Sequence, residues 1–132
     1  MKKLDLVIIE DEGDITNLYK LLFEREGVKV DTILYNGQTA MEKIEESKDE
    51  LSEKVFLIDN RIPETSGIEV AKRILELNPD LKDQIIIATA DEALTRQDVR
   101  ELGIKYFLRK PFSLDELLRV YNQIIEKRKS EK

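Results

Sequence analysis

Residues 6–11 read Leu6-Val7-Ile8-Ile9-Glu10-Asp11, four apolar side chains in a row that stop at two acids. Such a short, continuous apolar run fits a strand covered on both faces of a sheet. The same punctuation recurs three times. Val55-Phe56-Leu57-Ile58 stops at Asp59, Ile85-Ile86-Ile87-Ala88 stops at Thr89, and Tyr106-Phe107-Leu108-Arg109 runs into Lys110-Pro111. If these runs are parallel strands of one sheet, their carboxyl ends lie along one edge. Carboxylates, a hydroxyl and an ammonium then converge there, a set suited to handling a phosphoryl group with a divalent metal.

On either side of these runs, apolar stretches alternate with segments of helical period. Strands are expected at about 4–9, 28–34, 54–59, 84–90 and 104–109. Between them, Ile15, Leu18, Leu22 and Phe23 share a helical face, as do Ala40, Met41 and Ile44, then Ile68, Ala71, Ile74 and Leu75. Leu117, Leu118, Tyr121, Ile124 and Ile125 close the series. The stretch 92–102 carries a weaker pattern, with Ala93, Leu94, Val99 and Leu102 to bury. Gly27 and Gly103 stand where helix C-caps are expected, Asn78-Pro79 ends the third helix, and Ser113-Leu114-Asp115-Glu116 forms a capping box for the last. Strand–helix alternation with short links predicts an α/β fold, a doubly wound five-stranded parallel sheet with helices on both faces. The expectation is a single domain over 1–132, with a core at about 3–127 and a frayed tail at 128–132.

Composition narrows the chemistry. Zero cysteines exclude disulfides and thiolate sites, and zero histidines exclude the commonest general base and the usual zinc ligand. The chain cannot carry a phosphohistidine, so in any His-to-Asp transfer it is the receiving side. A net charge of −6 argues against a nucleic-acid surface. The run Lys127-Arg128-Lys129 reads as a helix end favoured by the dipole. No apolar stretch approaches the roughly 18 residues of a membrane span, and no signal-peptide pattern leads the chain, so no membrane partner and a cytoplasmic location are expected.

In an open α/β sheet, ligands bind outside the carboxyl ends of the strands where strand order reverses. Glu10, Asp11, Asp59, Thr89 and Lys110 all fall at that edge. Three ionised carboxylates about 4 Å apart repel by roughly 4 kcal/mol per pair at an effective dielectric near 20, more than one lysine offsets. A hard cation does offset it, and oxygen-only ligands point to Mg²⁺. Taken singly, each residue has a plainer explanation: acids complementing a helix dipole, Asp59 opening a turn, Thr89 as a strand residue, Lys110 as a solvated charge. These explanations are independent, and their coincidence at every strand end favours the joint reading.

The motifs Ile8-Ile9-Glu10-Asp11-Glu12, Leu57-Ile58-Asp59 with Pro63 and Gly67, Ala88-Thr89-Ala90, and Lys110-Pro111-Phe112 occur in order over nearly the whole chain. In this the chain resembles the response-regulator receiver domain, a CheY-like, flavodoxin-like fold. The resemblance, not the spacing, implies the strand order 2-1-3-4-5. It also implies that Asp59 accepts a phosphoryl group from the phosphohistidine of a sensor histidine kinase. Glu10, Asp11, Asp59 and the backbone carbonyl of Arg61 would hold Mg²⁺. Thr89 and Lys110 would meet the phosphoryl oxygens, and the Lys110-Pro111 bond would be cis. Such a chain is a two-component, phosphorylation-activated switch rather than an enzyme, acting on its own Asp59 and losing the group slowly. With no effector domain in 132 residues, it would stand alone and act on a separate downstream protein. The fourth helix, fifth strand and fifth helix would form the output surface, and a homodimer would use the same face.

Three details depart from the common pattern. Phe107 stands where many relatives have Tyr, so its bias between states must come from burial, worth about 1.5–3 kcal/mol. Ala90 leaves room for that ring to turn inward; a permanently buried Phe107 is the plainer alternative. Arg61 and Asp91, two residues beyond Asp59 and Thr89, carry opposite charges at positions that, by the resemblance, overlook the water attacking the acyl phosphate. Their pairing is expected to slow loss of the phosphoryl group, and two unrelated solvated charges are the alternative. Three rival functions fit the sequence less well. A flavin-binding electron carrier needs a Ser/Thr/Gly-rich loop where Glu10-Asp11-Glu12 would repel phosphate. A haloacid-dehalogenase-like phosphatase needs an Asp-x-Asp pattern after the first strand. A pseudo-receiver working by protein contact alone would not need the acceptor residues that are present.

Overall fold

The structure is a computed structural model that describes residues 3–130. Five strands, β1 (Asp5–Ile9), β2 (Val30–Leu34), β3 (Lys54–Ile58), β4 (Ile85–Thr89) and β5 (Tyr106–Arg109), form one parallel sheet in the order β2-β1-β3-β4-β5. The helices are α1 (Gly13–Arg25), α2 (Gly37–Glu46), α3 (Gly67–Leu77), α4 (Arg96–Arg100) and α5 (Leu114–Ser130), with 3₁₀ turns before β3 and β4. The doubly wound sheet and its order agree with the sequence reading.

The strand period of two divides the core into two layers. Val7, Ile9, Phe56, Ile58, Ile85 and Ile87 face α2, α3 and α4, meeting Ala40, Ile44, Val70, Ala71, Ile74 and Val99. Leu6, Ile8, Val55, Leu57, Ile86 and Ala88 face α1 and α5, meeting Tyr19, Leu22, Phe23, Leu117, Tyr121 and Ile124. The central strands are therefore covered on both sides, which is why their sequences read as unbroken apolar runs. The edge strand β2 is half-buried and carries Asp31.

Local differences from the sequence reading have specific causes. Leu18, expected in the core, is 49% exposed, and Thr16 and Tyr19 take the buried positions of α1 instead. α4 is one short segment: Leu94 and Val99 are buried, Leu102 is partly buried, and Ala93 is exposed. Its start is set by a capping box between Thr95 and Asp98, a Thr-x-x-Asp signal that sequence reading passed over. The tail expected at 128–132 is helical through Ser130, and residues 131–132 lie outside the described residues. There Lys127, Arg128 and Lys129 complement the C-terminal end of the helix dipole, and the Arg128 guanidinium donates to the Ser52 carbonyl at 2.6 Å. Gly27 and Gly103 follow α1 and α4 with φ of 80° and 88°, the left-handed conformation of a helix stop. Ser113 and Glu116 exchange the two hydrogen bonds of the expected capping box. Among the described residues, no helix is long and apolar enough to cross a membrane.

Candidate functional site

Strand register assembles the site. Ile9 pairs with Ile58 at the end of the β1–β3 ladder, and the Asp59 N–H donates to the Ile9 carbonyl at 2.9 Å. Glu10 and Asp59 thus leave neighbouring strands side by side, where strand order reverses. On the other side Thr89 pairs with Arg109, and the Lys110 N–H donates to the Thr89 carbonyl at 3.0 Å. The Lys110–Pro111 peptide bond is cis.

The Lys110 ammonium lies between two acids, 2.6 Å from Glu10 Oε1 and 3.1 Å from Asp59 Oδ2. The remaining oxygens face backbone donors: Glu10 Oε2 accepts from Glu12 N–H, and Asp59 Oδ1 accepts from Arg61 N–H, each at 3.2 Å. Glu10 and Asp59 are buried, Glu10 to 2% exposure, whereas Asp11 and Glu12 are exposed. Burial pushes the Glu10 carboxyl up to about 7; the Lys110 hydrogen bond offsets part of this, and the Asp59 charge adds to it. For Lys110, burial acts to lower its value, but the Glu10 hydrogen bond and the charges of Asp59 and Glu10 outweigh it and leave it raised. One lysine holds the pair together without fully compensating the burial of charge.

One carboxylate oxygen from each of Glu10, Asp11 and Glu12 lies within 4.8 Å of the other two. This all-oxygen set suits a hard divalent cation. Asp59 stands outside that triplet and is joined to Glu10 through Lys110, while Glu12, not singled out as a ligand by sequence reading, is inside it. A cleft of about 270 Å³ opens over the group, lined by Asp11, Glu12, Asp59, Arg61, Ala90 and Lys110 among others. Gly67, at the start of α3, lies against the backbone of Asp59: a Cβ there would clash with the Asp59 carbonyl, so no larger residue fits at this approach.

Thr89 is fully buried at the end of β4, and its hydroxyl oxygen accepts from the Asp91 N–H at 3.1 Å. Arg61 and Asp91 meet at the mouth of the cleft, Nε to Oδ1 at 3.6 Å. Asn60, unremarked in the sequence, braces the same acid. Its amide donates to Asp91 Oδ2 at 2.9 Å and accepts from the Ile68 N–H, also at 2.9 Å, tying Asp91 to the start of α3. The Asp91 carboxyl is held below its ordinary range, by the Asn60 hydrogen bond first, then by the Ala93 N–H, with the Arg61 charge contributing less. Phe107 is 7% exposed and packs with the α2–α4 layer, while Ala90 is exposed at the cleft.

Comparison with known proteins agrees with this geometry. The sequence profile of the response regulator receiver domain matches residues 6–122. The response regulator receiver protein CpdR of Brucella abortus is 34% identical over 113 residues, covering 86% of this chain and 89% of that protein. The transcriptional regulatory protein TrcR of Mycobacterium tuberculosis is 30% identical over 114 residues, but the chain spans only 42% of its length. Among solved structures, a CheY-like receiver domain protein from Methanospirillum hungatei superposes with a TM-score of 0.82 over 99% of this chain and 100% of that one, at 21% identity, which speaks to the fold. The strand-end acids, the buried threonine and the bridging lysine, together with a match over nearly the full length, identify the chain as a member of the response regulator receiver domain family of two-component systems.

Proposed function

We propose that Asp59 is the acceptor in a phosphoryl transfer from the phosphohistidine of a sensor histidine kinase. The observation that carries this reading is the Lys110 ammonium held between Glu10 and Asp59 over the strand ends. Asp59 Oδ1 is fixed by the Arg61 N–H, which leaves the carboxylate oriented toward the cleft. Its oxygen attacks phosphorus in line, the N–P bond to the donor imidazole breaks, and the leaving nitrogen takes up a proton. Lys110, already held beside Asp59, pairs with the phosphoryl charge, and the buried Thr89 hydroxyl moves to donate to a phosphoryl oxygen. Glu10, Asp11, Asp59 and the Arg61 carbonyl would hold Mg²⁺, with Glu12 close enough to contribute. When bound, the ion supplies positive charge to the clustered carboxylates and the phosphoryl oxygens.

In this reading the protein is a cytoplasmic switch that modifies itself and turns over no external product pool. The surface formed by α4, β5 and α5 passes the signal to a separate effector protein or to a second copy of the chain. Incubation with Mg²⁺ and acetyl phosphate tests the chemistry. A mass increase of one phosphoryl group is expected, and it is absent in Asp59→Asn. No increase in the wild type, or an equal increase in the variant, overturns the assignment.

A further inference from the structure

Arg109, the last residue of β5, makes an arrangement that the phosphoryl chemistry does not use. Its Nη1 donates to the Asp91 carbonyl and its Nη2 to the Leu94 carbonyl, both at 2.6 Å. Its Cζ lies 4.9 Å from the centre of the Phe107 ring, and the Arg96 Cζ lies 5.2 Å from the same ring. One planar guanidinium therefore grips both ends of the loop that follows Thr89 while resting on the ring at the output face. A lysine has the charge but not the fork, and cannot hold two diverging carbonyls and a ring at once. The loop end is anchored as well: the Asp91 N–H donates to the Thr89 hydroxyl oxygen, and Asn60 fixes the Asp91 carboxylate. A continuous set of contacts thus runs from Thr89 Oγ1 through Asp91 and Arg109 to Phe107.

We propose that Arg109 is a positioning residue that couples movement of the 91–94 loop to the position of the Phe107 ring. This rests on the reading of Asp59 and Thr89 given above. Displacing Thr89 toward a phosphoryl group pulls on the Asp91 amide, and the two carbonyls carry the guanidinium with them. The ring then loses or shifts its cationic neighbour. Coupling of this kind needs an element with two arrangements that both ends bias, and the loop gripped by Arg109 is that element.

The test is NMR of the full chain, with beryllofluoride plus Mg²⁺ as the probe and Asp59→Asn as control. In the wild type, the amides of Asp91–Leu94 and the ring protons of Phe107 are expected to shift together. In Arg109→Ala and Arg109→Lys the loop amides still shift, while the Phe107 ring shift falls about two-fold or more. Failure of lysine to restore the ring shift separates the fork from simple charge or fold retention, and Arg109→Lys serves should Arg109→Ala fold poorly. A ring shift of wild-type size in a folded variant overturns the proposal, as does a wild type whose loop shifts while its ring does not. A wild type with no probe-dependent shift that Asp59→Asn removes fails at the earlier step, and takes both readings with it.

Discussion

Glu10 and Lys110, 100 residues apart in the chain, meet at 2.6 Å with Asp59 on the other side of the ammonium. The contact exists because β1 and β5 end at the same edge of the sheet, and it places a half-buried cation against two buried acids. Breaking such a pair leaves uncompensated charge, so each partner constrains the others.

The first prediction concerns pH. The folded Glu10 carboxyl sits at about 7 against an ordinary 4.5, so between those values the folded protein holds a proton that the unfolded chain has released. In chelator, stability is therefore expected to be greatest near the acid end of that window and to fall as pH rises through about 7. At roughly 1.4 kcal/mol per pH unit of displacement, the fall is at most about 3–4 kcal/mol. Asp91 and Asp98 are shifted the opposite way, so their contributions are lost only at lower pH, which bounds the window from below. Urea unfolding at several pH values would measure the slope. Glu10→Gln should flatten it, and an unchanged slope in that variant would locate the titration elsewhere.

A second prediction concerns the mouth of the cleft. Arg61 is 69% exposed in its side chain and pairs with Asp91 at 3.6 Å, so its removal should alter stability by no more than about 1 kcal/mol. Asp91 stays in place without it, because Asn60 and the Ala93 N–H hold the carboxylate. Any effect of Arg61→Ala should then appear in the lifetime of phosphorylated Asp59. A roughly five-fold shorter half-life is expected, equivalent to about 1 kcal/mol of barrier. A half-life equal to wild type would remove water obstruction as the role of this pair.

The strands and the strand-end residues were legible because each is coded locally: a short apolar run, then one residue of contrasting chemistry. Glu10, Asp59, Thr89 and Lys110 needed only a parallel sheet to bring them together. Asn60 and Arg109 were not legible, since each acts through backbone groups of distant segments, Ile68 and Leu94, whose approach no spacing encodes. Leu18 and Tyr19 show a subtler limit. Both lie near the apolar side of α1, and it is Tyr19 that joins the α1–α5 layer, its ring also stacked on Phe112 at 6.4 Å, while Leu18 stays exposed. The start of α4 was readable from Thr95 and Asp98 but was masked by the scarcity of apolar residues around it.

A third prediction follows from the close approach of Gly67 to the Asp59 backbone. Gly67→Ala would drive a methyl group into the Asp59 carbonyl oxygen and within 2.8 Å of Ile58 Cγ2. The nearer neighbour is backbone, just past the end of the central strand β3, and cannot swing aside as a side chain could. A loss of roughly 1–3 kcal/mol or more is expected in urea unfolding. Phosphorylation by acetyl phosphate should also slow, because α3 recedes by pulling on the Gly67 N–H bond to the Asn60 carbonyl, 3.0 Å long, next to Asp59. Wild-type stability would mean that α3 docks more loosely than this contact implies.

The last prediction separates stability from chemistry at the opposite end of the sheet. The Tyr121 hydroxyl donates to the Leu4 carbonyl at 2.6 Å, fully buried, and its ring meets Phe23 edge-on at 5.2 Å. Tyr121→Phe keeps the ring contact and removes the donor, leaving the Leu4 carbonyl without that partner in an apolar layer. The cost should be about 1–3 kcal/mol. Leu4 lies before the start of β1, whereas the acceptor site lies beyond the far ends of the strands, so the rate of Asp59 phosphorylation should match wild type at temperatures where the variant is folded. A variant with intact stability would show that water or a rearranged neighbour satisfies Leu4; a variant with intact stability but altered phosphorylation would instead require a path along β1 linking the two ends of the sheet.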